Sequence, residues 1–204
     1  MSGISALTLR KAAEANLPTR YGQFRIYGFE GLAEGRREQA VALVMGEAQG
    51  GEPVLVRIHS QCLTGDVFHS LRCDCRQQLE LSLKTIAVAK RGILIYEEKE
   101  GRGIGLLNKL RAYELQDRGA DTIEANEQLG FESDLRVYEL PAAILKYFGV
   151  TGVRLLTNNP DKIAALEAGG IEVVERVPCQ VSGNGENANY LRTKKDRMGH
   201  LLEL

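Results

Sequence analysis

The residues best suited to chemistry lie in one stretch, His59-Ser-Gln-Cys-Leu-Thr-Gly-Asp-Val-Phe-His-Ser-Leu-Arg-Cys-Asp-Cys75, which holds three of the chain's four cysteines. Their spacing is Cys62-x10-Cys73-x-Cys75. A Cys-x-Cys pair puts two thiols on one side of an extended or tightly turned backbone. A third cysteine upstream closes on them if the intervening loop turns, which Gly65 permits. Three thiolates suit Zn²⁺, which takes soft ligands in a tetrahedron, and three protein ligands with one open corner describe a catalytic rather than a structural zinc. Two other readings stay open. His59 or His69 could close the site as a fourth ligand, or the thiols could be small buried apolar groups. The last reading fits Cys179, beside Val177 and Pro178, better than three cysteines set among Asp66, Arg72, Asp74 and Arg76. A redox pair would need Cys-x-x-Cys, which is absent.

Three further stretches bear on the substrate of such a site. Arg57 stands at a strand end just before the cysteines, where a guanidinium could hold phosphate bidentately or simply be a surface charge. Glu100-Gly-Arg-Gly-Ile-Gly105 joins a strand to a helix. Its glycines allow backbone N–H groups near an anion, although the G-x-G-x-x-G spacing is missing and such a turn is more often only a turn. A carboxylate such as Glu100 can accept from the N1–H and NH₂ edge of guanine. Asp134 and Arg136 lie two apart, so extended backbone would face both to one side. The pair fits a general base beside an oxyanion or phosphate clamp, or else a surface salt bridge.

The elements that would carry these residues follow from the pattern. Residues 1–18 are polar and alanine-rich and fit a short helix or a loose arm. Tyr21–Phe29, Gln39–Met45 and Pro53–Ile58 read as strands, with Gly46 to Gly51 as the turn between the last two, giving a β meander that delivers His59 and Cys62 at a strand's end. Beyond Cys75 the period becomes helical over residues 76–91. A buried strand Gly92–Tyr96, a helix Leu106–Asp117 and a helix Tyr138–Phe148 follow. A strand Val153–Leu156, a helix capped by Asn159 with Pro160 at its first position, and a strand Ile171–Val174 complete the alternation. A C-terminal helix over 187–204 carries Lys194, Lys195 and Arg197, a charge run that reads as a solvated face. The class is α/β: a β meander followed by alternating β/α units, mixed sheets flanked by helices, in a single domain over residues 1–204.

Composition narrows the function classes. The 204 residues carry a formal net charge of -1, which argues against a polyanion-binding protein and so against nucleic acid as a partner. There is no apolar run of spanning length and no apolar leader segment at the N-terminus, so neither membrane nor export is expected. Four cysteines at this length are too few for a disulfide scaffold and point to a reducing, cytoplasmic home.

The chain resembles GTP cyclohydrolase II. The resemblance rests on Arg57-Ile-His-Ser-Gln-Cys-Leu-Thr-Gly-Asp66, Ser70-Leu-Arg-Cys-Asp-Cys75 and Glu100-Gly-Arg-Gly-Ile-Gly-Leu-Leu-Asn-Lys109. Ala125-Asn-Glu-Gln-Leu-Gly-Phe131, Asp134-x-Arg136-x-Tyr138, Leu155-Leu-Thr-Asn-Asn-Pro160 and Met198-Gly-His-Leu continue it in family order. At this length the stand-alone form is the one resembled, without the fused synthase domain of many relatives. The resemblance implies zinc on Cys62, Cys73 and Cys75, with water at the open corner attacking C8 of guanine and releasing formate. It implies GTP held by Arg57, Ile58, His59, Ser60, Gln61, Gln78, Glu100, Gly101, Arg102, Thr122, Thr157 and Lys162, with Mg²⁺ on its phosphates. Asp134 would accept a proton. Arg136 would be the nucleophile that displaces pyrophosphate, although a guanidinium with pKa above about 12 suits a phosphate clamp better. Tyr113 would help complete ring opening. A homodimer is also implied. One departure is Gln61, where the family commonly has Glu. The intact set of Cys62, Cys73, Cys75, Tyr113, Asp134 and Arg136 argues against a relative that binds GTP and stops early. A structural-zinc binding module is the alternative of a different class, and it requires a fourth protein ligand.

Overall fold

Two apolar runs, Val54–Ser60 (β4) and Gly92–Glu97 (β5), are buried almost throughout and lie parallel, with Val56 opposite Ile93 and Ser60 opposite Glu97. Continuous runs of this kind need cover on both faces. The computed structural model, which describes residues 7–33, 35–131 and 136–203, provides it. Strands Thr8–Thr19 (β1), Gly22–Ala33 (β2), Arg36–Met45 (β3), Gly152–Leu156 (β6) and Glu172–Val177 (β7) join these two in one sheet of order β1-β2-β3-β5-β4-β6-β7. Pairing is antiparallel from β1 to β5 and parallel from β5 to β7. Helices are Leu63–Asp66 (α1), Cys75–Ala89 (α2), Leu106–Asp117 (α3), Thr122–Gln128 (α4), Glu139–Tyr147 (α5), Pro160–Ala168 (α6) and Ala188–Met198 (α7), with a 3-10 turn at Glu100–Gly103.

Alternation assigns the faces. Val54, Val56 and Ile58 pack with Ile93, Ile95, Leu140, Ile144 and Leu166, beneath α5 and α6. Leu55 and Leu94 pack with Ile86 of α2 and with Cys179, which is fully buried as expected of an apolar thiol. Arg57 and His59 continue the Leu55 side, so two polar residues end an otherwise apolar strand on the α2 face. From β4 the chain moves to β5 on one side, and β6 lies on the other. The carboxyl end of β4 is therefore the switch point, where open α/β sheets leave a crevice.

The structure corrects two expectations. Residues 8–19 are a strand rather than a helix or arm, paired with β2 from Thr8 opposite Leu32 to Thr19 opposite Gly22. A neighbouring strand with free backbone groups overrides the weak β-propensity of this alanine-rich segment. The meander is β1-β2-β3 only. β4 does not return along β3, because β5 occupies that place. Gly46, at φ 69°, turns the chain over the end of α2, where a Cβ would stand 2.5 Å from the Lys90 carbonyl oxygen. The helices expected at 76–91, 106–117 and 138–148 are present as α2, α3 and α5, and Asn159 accepts from the Asp161 N–H at 2.9 Å as the cap of α6. Helix α4 was not read from the sequence, although its capping box, Asp121 with Glu124, is a sequence signature. Among the described residues no helix is long and apolar enough to cross a membrane.

Candidate active site

Past Ser60 the chain leaves the sheet, and the single turn α1 brings Cys62 and Gly65 together. The Asp66 carboxylate fixes this turn. It accepts from His59 Nε2 at 3.1 Å, from the Tyr96 hydroxyl at 2.8 Å and from the Cys62 N–H at 3.0 Å. Burial holds the His59 imidazole below its ordinary pKa, so it serves Asp66 as a neutral donor. His59 is thereby engaged away from the cysteines.

The Sγ atoms of Cys62, Cys73 and Cys75 lie within 4.8 Å of one another, and no fourth His, Cys, Asp or Glu among the described residues joins them. Cys62 and Cys73 are 3.7 Å apart. Zinc–sulfur bonds of about 2.3 Å in a tetrahedron require an edge of about 3.8 Å, so the spacing fits. Gly65 makes room for it: a Cβ there would stand 2.8 Å from Cys73 Sγ and 3.1 Å from Cys62 Sγ. Gly65 thus serves by its small size and not by a special φ. Hydrogen bonds from Cys73 and Cys75 hold the Cys62 thiol far below its usual pKa, with help from Lys109 at 3.1 Å. The same bond to Cys62 pushes Cys73 up to about 11, and Cys75 is raised likewise. A soft divalent metal between the three sulfurs would favour all of them as thiolates.

Lys109 also meets Glu100 Oε1 at 2.7 Å, and Glu100 Oε2 accepts the Leu63 N–H at 2.6 Å. The cluster is therefore backed by a largely buried ion pair; the sequence assigned Glu100 to the guanine edge and gave Lys109 no role. Tyr113 places its hydroxyl 3.2 Å from Thr64 Oγ1, and the Arg72 guanidinium lies over its ring.

Beside the sulfurs opens a cavity of about 360 Å³, formed at the carboxyl ends of β4, β5 and β6. Its wall is rich in cations. Arg57, 5 % exposed, donates to the Leu156 carbonyl at 3.0 Å and to Gln78 Oε1 at 2.7 Å. Lys162 donates to the Ile58 carbonyl at 2.8 Å. Arg136 reaches Ser60 Oγ at 3.3 Å. Arg102 stands in the left-handed region at φ 62°, after Gly101 at φ 61°. Both its terminal nitrogens are buried without a hydrogen-bond partner among the described residues. Buried donors left unsatisfied are costly, and an anionic ligand would satisfy these. Burial, then the charges of Lys194, Arg136, Arg102 and Lys162, pushes His200 down to about 3, which reports a strongly positive interior.

The model of GTP cyclohydrolase II matches residues 10–178. The chain belongs to the GTP cyclohydrolase II family. It is 57 % identical over 196 residues to GTP cyclohydrolase-2 of Cronobacter sakazakii, covering 96 % of this chain and 98 % of that one. The corresponding protein of Escherichia fergusonii gives the same values. With the riboflavin biosynthesis protein RibBA of Chlorobium phaeovibrioides the identity is 52 % over 194 residues, 95 % of this chain but 47 % of that longer one, so the chain spans about half of it. A solved structure, RibBX, a two domain 3,4-dihydroxy-2-butanone 4-phosphate synthase from A. baumannii, is 19 % identical with a TM-score of 0.40 over 74 % of this chain and 34 % of that chain, too remote to bear on the site.

Of the residues that the GTP cyclohydrolase II pattern singles out, the cavity gathers most: Arg57, His59, Ser60, Gln61 and Gln78 from β4 and α2, and Glu100, Gly101 and Arg102 from the 3-10 turn. Tyr113, Thr122, Arg136, Thr157 and Lys162 complete this group. Ile58 is different, because its side chain is fully buried in the core and only its carbonyl serves Lys162. Asp134 lies outside the described residues. Both Glu100 oxygens already hold partners, so reading a guanine edge would use their remaining lone pairs. The sequence reading missed Lys109, Tyr190, Lys194 and His200 on the cavity wall, and it missed the Asp66 hub. The C-terminal charge run is corrected. Lys194 is buried, although Lys195 and Arg197 are exposed as a solvated face would have them.

Proposed function

We propose that this chain hydrolyses GTP with zinc on Cys62, Cys73 and Cys75, opening the guanine imidazole ring with loss of formate and releasing pyrophosphate. The product would be 2,5-diamino-6-(5-phospho-ribosylamino)pyrimidin-4(3H)-one, made in the first step of riboflavin biosynthesis. GTP and hydrolysis come with family membership. The observation that carries the rest is the sulfur triangle with no fourth ligand among the described residues, opening onto a cavity walled by arginine and lysine.

Bound zinc would supply Lewis acidity to activate water toward C8. The chain's own residues do the remaining work. Arg57, Arg102, Arg136 and Lys162 hold the triphosphate, whose own oxygens would carry Mg²⁺. Arg136, fixed near Ser60, acts as a clamp on charge developing at the α-phosphate, a role that needs no deprotonated guanidinium. Asp134 accepts a proton, as the family pattern implies. Tyr113 of α3 meets Thr64 Oγ1 at 3.2 Å, and Thr64 Oγ1 lies 3.7 Å from Cys62 Sγ, so these hydroxyls are placed to relay a proton to the opening ring. Lys109 offsets the negative charge of the Cys62 thiolate. We further propose a homodimer and a cytoplasmic location. Four free thiols fit a reducing compartment.

The test is incubation with GTP, Zn²⁺ and Mg²⁺, scored for formate and pyrophosphate together. Cys73→Ser should fold, lose zinc and release formate roughly a thousandfold more slowly, the equivalent of about 4 kcal/mol of lost Lewis-acid stabilisation. A zinc-free Cys73→Ser protein working at the normal rate overturns the assignment.

A further inference from the structure

Helix α7 lies beyond the segment that the family model matches, yet it forms part of the cavity wall. Leu191 anchors it in the interior, the chain just beyond it is held by buried Leu202 and by the Leu201 N–H donating to the Asn158 carbonyl at 2.8 Å, and Arg197 pairs with Asp121 at the start of α4. Its Lys194 points inward. Lys194 Nζ is 2.8 Å from Asp74 Oδ1, with the two side chains 9 % and 2 % exposed. Asp74 is the residue between the ligands Cys73 and Cys75. Its other oxygen accepts from Gln78 Nε2 at 2.5 Å, Gln78 Oε1 accepts from Arg57 at 2.7 Å, and Arg57 ends on the Leu156 carbonyl at 3.0 Å. A line of four side chains, Lys194, Asp74 and Arg57 buried and Gln78 partly so, thus runs from α7, through the middle of the Cys-x-Cys pair, to the end of the sheet.

Burying an ammonium and a carboxylate together is weak as a source of stability, since an apolar pair of the same volume often does as well. What the ion pair supplies is direction, because the Asp74 carboxylate can take only one orientation when Lys194 and Gln78 hold its two oxygens. The backbone that carries Cys73 and Cys75 is oriented with it. Groups that orient metal ligands from behind usually matter nearly as much as the ligands.

We propose that Lys194 is a positioning residue of the metal loop, acting through Asp74, and that α7 is thereby a working part of the active site. The inference rests on the zinc reading above. Its test measures metal affinity and not turnover, so it is decided separately from the identity of the substrate. Zinc affinity of Lys194→Met, by competition with a chromophoric chelator on protein shown to be folded, should fall about tenfold to a hundredfold. Lys195→Met, one residue along and exposed, should match the wild type. Folded Lys194→Met with unchanged zinc affinity overturns the proposal. So does a variant whose only defect is a raised KM for GTP, which would make Lys194 a plain phosphate contact. If Lys194→Met does not fold, the wild-type protein carries the test by reciprocity of coupling. Stripping zinc should lower hydrogen-exchange protection over Leu191–Met198, and unchanged protection there overturns the idea.

Discussion

Apart from the buried Glu30 carboxylate, which pairs with Arg10 and Arg37, the ribbon β1–β3 uses charge in the opposite way to the parallel half β4–β7. On the ribbon, Glu14 stands between Lys11 at 2.7 Å and Arg25 at 2.6 Å, all three side chains at least 35 % exposed. Pairs of this kind are solvated and screened, and contribute little to stability. At the end of the parallel strands Arg57, Asp66, Asp74, Lys162 and Lys194 are each at most 8 % exposed; Lys194 pairs with Asp74, and the others bond to buried polar side chains or backbone carbonyls. The interior charges are costly to hold, and a cluster of them in a cleft is the mark of a candidate functional site. The ribbon builds an edge, and the parallel half builds the chemistry.

That contrast can be broken by substitution. Arg57→Ala removes a buried cation and leaves Gln78 and the Leu156 carbonyl without their donor. kcat/KM for GTP should drop on the order of a hundredfold, measured as formate release on protein with normal circular dichroism. A small effect would mean that the interior charges are as idle as those of the ribbon. Gly65→Ala should weaken zinc binding by about tenfold, because the new methyl must displace sulfur, and should cost about 1–3 kcal/mol of stability. Chelator competition and a denaturant midpoint read the two effects.

His200 sharpens the comparison through pH. Its folded pKa of about 3 lies below the unfolded value of about 6.5, so the unfolded chain takes up the proton first. Stability is therefore lost as pH falls from 6.5 toward 3, by up to about 1.4 kcal/mol per unit. His200→Gln should flatten that slope in denaturant titrations at several pH values. The smallest effect belongs to the ribbon. Glu14→Gln should leave formate release unchanged and move the melting temperature by no more than about 2–4 °C.

How much of this was legible depended on whether the cause was local. The cysteine spacing, the apolar runs of β4 and β5 and the Asn159-Pro160 cap are each written in a few adjacent residues, and each is present. The insertion of β5 between β3 and β4 is a choice of long-range partner that no local pattern records. The strand Thr8–Thr19 exists because β2 offers it hydrogen bonds, against its own propensity. Lys194 looks like its exposed neighbours Lys195 and Arg197 in sequence. Only the meeting of α7 with Asp74, 120 residues away, makes it an interior group.

The sheet order has a consequence for how the protein is made. A chain emerging from the ribosome can finish the ribbon once residue 45 is out, since β1, β2 and β3 pair with one another. β4 has no such neighbour and waits for residues 92–97. The thiols behind it wait longer: Glu100 and Lys109 must arrive to back α1 and Cys62, and Lys194 must arrive to orient Asp74. Nascent chains arrested at increasing lengths should therefore keep Cys62, Cys73 and Cys75 open to alkylation long after the ribbon Thr8–Met45 resists protease.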